Sequence, residues 1–133
     1  MEARVREIND ALEKLRELTD VEFERFGGYE KLSMRYLVIQ LVEATASVCI
    51  HVLSRAFEEV AEAYPHCFVR LAERRVIPRA LAERLASAAR LRNLLVHRYW
   101  EIDDQEVYRA IKGGLKDFEE FVKQVRKVVE KAT

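Results

Sequence analysis

The chain has 133 residues, half of them apolar and about a third charged, which suits one soluble domain, 1–133, with a real core. Four glycines and two prolines are too few for a loop-rich β protein, and a formal net charge of zero argues against a nonspecific nucleic-acid coat. No apolar run approaches the roughly 20 residues that span a bilayer, and the charged start Met-Glu-Ala-Arg-Val-Arg-Glu lacks a signal peptide's apolar stretch, so a cytoplasmic protein is predicted.

Apolar residues recur at helical spacing nearly throughout. Val5, Ile8, Leu12, Leu15 and Leu18 predict a first amphipathic helix. Thr19 and Asp20 are placed to cap a short turn carrying Phe23 and Phe26, and Gly27-Gly28 then breaks the chain. A second helix is predicted from about Glu30 to about Ala63, with Leu32, Tyr36, Ile39, Val42, Ala46, Leu53, Phe57 and Val60 on its buried side. Residues 36–53 are nearly free of charge, Glu43 and His51 excepted, so this helix should be central, with one side open to another subunit. Tyr64-Pro65 is read as its end. A short helix with Phe68, Val69 and Leu71 follows, up to Arg74-Arg75. Pro78 fits the first turn of a fourth helix, which carries Leu81, Leu85, Ala88 and Leu91. Asp103 and Glu106 have capping-box spacing for a last helix, whose core face is Val107, Ile111, Leu115, Phe118, Val122, Val125 and Val129. Gly113-Gly114 falls mid-helix at a cost of roughly 1 kcal/mol per residue against alanine, which points to a kink or to a close approach by another backbone.

Charge is unevenly distributed. Residues 63–100 carry eight arginines, no lysine, and only Glu73 and Glu83 as acids. Two readings stay open: these arginines bind phosphate, or they pair with acidic residues of neighbouring helices. Cys49 and Cys67 are too few and too far apart for a zinc-site pattern, and are expected to be reduced thiols.

The arginine-rich stretch ends in Arg92-Asn93-Leu94-Leu95-Val96-His97-Arg98-Tyr99. An arginine can hold a phosphate bidentately, a histidine can move protons near neutral pH, and a tyrosine can stack on a base or offer a hydroxyl. Together they point to chemistry on a phosphodiester. The structural alternatives are a core or interface role for His97, and a Tyr99 packed at a helix end beside Trp100. Glu43, Ser47 and His51 recur every four residues on the apolar helix, either supporting such a site or forming a satisfied buried polar network. His66 is read as a surface loop histidine.

Arg92, four residues, His97, one residue, Tyr99 resembles the signature of the HEPN superfamily, and the flanks are similar to its HepT-like branch. They include Val42-Glu43-Ala44, Val76-Ile77-Pro78, Leu81-Ala82-Glu83-Arg84-Leu85, His97-Arg98-Tyr99-Trp100, Glu101-Ile102-Asp103 and Val107-Tyr108, within a resemblance that runs from about Tyr36 to Val125. The family often has an acidic residue where this chain has Ser47, which leaves a carboxylate contact in doubt. The resemblance implies an all-α, up-and-down bundle of about four to five helices that forms a homodimer. It implies a metal-independent endoribonuclease toxin, without cofactor, that cuts RNA such as tRNA or mRNA in a type VII-like toxin–antitoxin pair. The implied antitoxin is an MntA-like nucleotidyltransferase that adds AMP to the motif tyrosine, here Tyr99. The alternative is a non-catalytic helical partner, or substrate-binding protein, of such a transferase.

The implied chemistry can be set against the residues. Metal-free cleavage needs a base for the 2′-hydroxyl, an acid for the leaving oxygen and a cation for the phosphorane. His97 is the candidate base or acid, and Arg92 the cation. One histidine serves both sides of an in-line displacement poorly, so a composite cleft between two subunits is expected. On an ideal helix Arg92 and Tyr99 lie about 20° apart, but His97 lies about 140° from Arg92. Asn93 is four residues from His97 and is placed to orient its imidazole.

Overall fold

The structure, a computed structural model, describes residues 1–132. It contains α1 (Glu2–Thr19), α2 (Gly28–Phe57), α3 (Tyr64–Glu73), α4 (Arg79–His97) and α5 (Asp104–Ala132), with 3-10 turns at Phe23–Arg25 and Tyr99–Glu101. No strand occurs among the described residues. The expected all-α, up-and-down bundle is the architecture formed.

The heptad-like spacing of α1 buries Val5, Ile8, Leu12 and Leu15 on one stripe, and each such side chain contributes roughly 1.5–3 kcal/mol on burial. The hydroxyl of Thr19 donates back to the Leu15 carbonyl at 2.9 Å, so it ends α1 and does not cap the following turn. That turn packs Phe23 and Phe26 against Tyr108 of α5. The Tyr108 hydroxyl donates to the Val21 carbonyl at 2.7 Å, with the Thr19 carbonyl 3.1 Å away.

α2 is the central element and packs against all four other α-helices. It begins two residues before the expected start, where Glu30 accepts the Gly27 N–H at 3.0 Å. By length and hydropathy it is long and apolar enough to cross a bilayer, contrary to expectation, but 61% of that apolar window is buried inside the bundle. Its end also differs from expectation. Glu58 adopts a left-handed conformation, φ 53°, and the Glu59 N–H bonds to the Leu53 carbonyl at 3.0 Å. This 6→1 bond closes the helix six residues early. Tyr64 and Pro65 open α3, because a proline's fixed φ and missing N–H cost nothing in a first turn. Ion pairs from Arg70 and Arg74 to Glu59 hold the 58–63 connection against α3.

Leu32, Tyr36 and Val60 are exposed, although expected on the buried side. Val60 lies in the connection after α2. Leu32 and Tyr36 share one face with Gln40, Glu43 and Ser47, all within about 80° on an ideal wheel. That face is the side of α2 that the bundle covers least, with Leu32 and Tyr36 exposed and Gln40, Glu43 and Ser47 half-buried.

Cys49 on α2 and Cys67 on α3 form a disulfide, with Cα atoms 6.3 Å apart, which overturns the expectation of two reduced thiols. They lie eighteen positions apart in sequence, and only the packing of α3 on α2 brings them together. The paired glycines of α5 behave differently from expectation too. The helix runs through Gly113 and Gly114 uninterrupted, and a Cβ at either would meet nothing within 4 Å. They open an apolar groove of about 530 Å³ with Val38, Leu41, Leu85, Leu91 and Phe118, away from the motif.

Candidate functional site

The core stripe of α4 sets where the motif points. Leu81, Leu85, Ala89 and Leu95 are buried, and this rotation turns Arg92 towards α2 and α3. The Arg92 Nη2 donates to Glu43 Oε1 at 2.7 Å, and Nη1 donates to Asn93 Oδ1 at 3.0 Å. The guanidinium carbon lies 5.1 Å from the centre of the Tyr64 ring. The Arg92 side chain is 18% exposed, and its Nε is buried without a hydrogen-bond partner. Orientation is therefore set by a carboxylate at one edge and an aromatic ring at the face, a geometry only a planar guanidinium satisfies.

Glu43 and Tyr64 also line a polar cleft of about 290 Å³ between α1, α2 and α3, with Arg4, Glu7, Gln40 and Ser47. The stripe expected on α2 thus divides. Glu43 reaches Arg92, Ser47 lines the adjoining cleft, and His51 is exposed beyond it. A buried polar network is excluded, since all three are half-buried or exposed. His51 is held below its ordinary pKa, chiefly by partial burial and then by the N-terminal ammonium and Arg55.

His97 is the last residue of α4 and is exposed. The next residue, Arg98, leaves helical geometry, with φ −138° and ψ 44°. The imidazole has no hydrogen-bond partner among the described residues. The Asn93 amide oxygen accepts from Arg92 instead, and no hydrogen bond joins Asn93 to His97 among the described residues. α4 is regular from 79 to 97, so the separation of Arg92 and His97 around the helix is real: one faces Glu43 and Tyr64 and the other faces solvent.

Tyr99 and Trp100 lie on the short turn after α4, 61% and 68% exposed, with ring centres 5.3 Å apart in edge-to-face geometry. The pair is in contact but is not packed into a core. Its backbone is tied to α2, where Arg35 Nη1 donates to the Tyr99 carbonyl at 3.0 Å.

The arginine-rich segment is largely paired. Arg70, Arg74, Arg79, Arg84, Arg92 and Arg98 all face carboxylates, from Glu59, Glu73, Glu83, Asp117, Glu43 and Glu101. Structural pairing thus accounts for most of that charge, and Arg92 stands apart by its partial burial and its stacking. His66 sits in the first turn of α3, not in a loop.

Tyr64, against Arg92, and Arg35, bonded to the Tyr99 turn, are two contacts of the candidate site that no sequence pattern announces. Tyr64 is 28 positions from Arg92, and in the sequence Tyr64-Pro65 reads as a helix end. No local pattern marks either residue, since each reaches the site from a different helix.

Residues 8–125 match the family described as ribonuclease HepT-like. The tRNA nuclease HepT of Aphanizomenon flos-aquae (strain 2012/KM1/D3) is 25% identical over 127 residues, covering 94% of this chain and 86% of that protein. The tri-AMPylated Shewanella oneidensis HEPN toxin, solved in complex with MNT antitoxin, has a TM-score of 0.85 at 20% identity, covering 94% of this chain and 95% of that one. YutE, a cytosolic protein from Bacillus subtilis, has a TM-score of 0.82 at 18% identity, covering 98% and 92%. At these identities the solved structures speak for a shared fold. The family match takes in the whole of α2, α3 and α4, the Arg92–His97–Tyr99 motif included, and the chain belongs to the ribonuclease HepT-like family.

Proposed function

We propose that the chain is an endoribonuclease toxin of a toxin–antitoxin pair, acting on cytoplasmic RNA without metal or added cofactor, as a homodimer with a composite Arg92/His97 cleft. The observation that carries this reading is the oriented, half-buried guanidinium of Arg92, with an exposed imidazole five residues on. In the cleavage step the 2′-hydroxyl attacks the neighbouring phosphorus as one His97 takes its proton. The bond from phosphorus to the 5′-oxygen breaks, and that oxygen is protonated by the His97 of a second copy. Arg92 exchanges the Glu43 carboxylate for phosphate oxygens and stabilises the charge that builds on them. The angular separation of Arg92 and His97 favours two subunits over one, and the least covered face of α2 carries Glu43 and Ser47 where a second copy would lie. A curated relative is named a tRNA nuclease, so tRNA is the first substrate to test, with mRNA the next.

Neutralisation would come from an MntA-like nucleotidyltransferase that adds AMP to Tyr99. Support comes from the exposure of Tyr99, two residues past His97, and from the AMPylated state of the Shewanella toxin. An adenylate there adds bulk and negative charge where an RNA phosphate must lie. The test is cleavage of a labelled RNA pool containing tRNA, in EDTA, by protein verified by mass to be unmodified at Tyr99. Cleavage by wild type that is lost in His97→Ala supports the reading. Equal cleavage by both removes His97 from the mechanism, and no cleavage by either favours the non-catalytic partner.

A further inference from the structure

Arg35 lies outside the motif, yet it is bonded to both sides of the turn that carries Tyr99. Its Nε donates to Asp104 Oδ1 at 2.6 Å and its Nη2 to Asp104 Oδ2 at 2.9 Å, a bidentate pair at the first residue of α5. Its Nη1 donates to the Tyr99 carbonyl at 3.0 Å. The Arg35 and Asp104 side chains are 21% and 16% exposed, so solvent competes little for that pair, while the bond to the Tyr99 carbonyl lies at the exposed edge. The Asp104 hydrogen bond pushes the Arg35 pKa further up, so its charge is permanent. One guanidinium therefore clamps α2, the 99–101 turn and the start of α5 together. The Tyr99 backbone is anchored while its phenol projects into solvent.

We propose that Arg35 is a positioning residue for Tyr99, holding the turn in the conformation that presents the phenol oxygen for nucleotidyl transfer. This rests on the reading of Tyr99 as the modified residue. In the step itself the phenol oxygen forms a bond to the α-phosphorus of ATP held by the transferase. The bond from that phosphorus to the bridging oxygen breaks, pyrophosphate leaves, and the phenol proton passes to a base of the transferase. An anchored backbone leaves only the side-chain torsions of Tyr99 to be set at the moment of transfer, whereas a free turn must be ordered first. Lysine cannot replace Arg35, because an ammonium cannot span two carboxylate oxygens and a carbonyl on the far side in one plane.

The experiment measures AMP transfer to Tyr99 by intact mass, using the full chain, ATP and an MntA-like nucleotidyltransferase. Wild type, Arg35→Met and Arg35→Lys are compared after circular dichroism confirms a folded fraction for each. The expected result is a fall in the transfer rate constant on the order of tenfold or more in Arg35→Met. The KM for ATP should be unchanged, since ATP is bound by the other protein, and Arg35→Lys should recover only part of the rate. Should Arg35→Met fail to fold, Arg35→Lys carries the test alone, with the same split between rate constant and KM. Transfer at the wild-type rate in the folded variants overturns the positioning role. A loss that tracks only the unfolded fraction overturns it too. No transfer to Tyr99 in wild type overturns the underlying reading instead, which keeps the two failures distinct.

Discussion

Replacing Arg92 by lysine separates its charge from its shape. The guanidinium makes three contacts that depend on its plane: Glu43 at 2.7 Å, Asn93 at 3.0 Å and the Tyr64 ring at 5.1 Å. An ammonium keeps the charge and can meet one of them. Glu43 is 42% exposed, so the ion pair is screened and its loss costs about 1 kcal/mol at most. Loss of the stacked cation costs about 0.5–1 kcal/mol. With the ion pair to Glu43 retained by the ammonium, a loss of about 0.5–1 kcal/mol in a domain of this size lowers Tm by roughly 2–4 °C. Cleavage should suffer far more, because a bidentate donor aimed at developing charge is worth about 10²–10³ in rate. Thermal denaturation followed by circular dichroism measures the first effect, and single-turnover RNA cleavage the second. A variant that cleaves at the wild-type rate would refute phosphate holding by the guanidinium. An unchanged Tm would show that the Tyr64 ring does not fix its orientation.

Tyr64→Phe should retain cleavage, since the ring face is what Arg92 meets. Tyr64→Leu should lose on the order of tenfold, with the variants ranked in a single-turnover assay; equal rates for Phe and Leu would remove the stacking argument. His51 should titrate by NMR below 6.5, and a midpoint at or above that value contradicts its lowered pKa. The sign follows from proton binding. Between the lowered folded pKa and the ordinary one the unfolded state binds more protons, so this contribution is full above about pH 6.5 and is lost as pH falls towards the folded midpoint. Unfolded in guanidinium without reductant, the protein should present no titratable thiol at Cys49 or Cys67, and two after reduction. Two thiols before reduction contradict the pairing. By the chain-entropy model, reducing a cross-link over 18 residues should lower stability by about 3 kcal/mol.

Much of this molecule was legible in its sequence for a simple reason. A helix repeats every 3.6 residues, so Val5, Ile8, Leu12 and Leu15 declare both an element and its buried face. The same holds for Leu81 and Leu85, and for Ile111, Leu115 and Phe118. The centrality of α2 followed from its scarcity of charge, and the motif was legible because its three residues lie within one short stretch. The α2 terminus was not. Periodicity continues past Phe57 to Val60, while a left-handed Glu58 and its 6→1 bond decide where the helix ends.

What only the tertiary structure decided is which groups meet. Arg92 could have turned to any neighbour; the packing of α4 against α2 and α3 directs it to Glu43, 49 positions away, and to Tyr64. Arg35 meets the Tyr99 turn across 64 positions, and Cys49 meets Cys67 across 18. Local sequence determines torsion angles and the face each side chain occupies, because those depend on near neighbours along the chain. Contacts between helices depend on how buried faces rotate to fill a shared core, and no local pattern records that rotation.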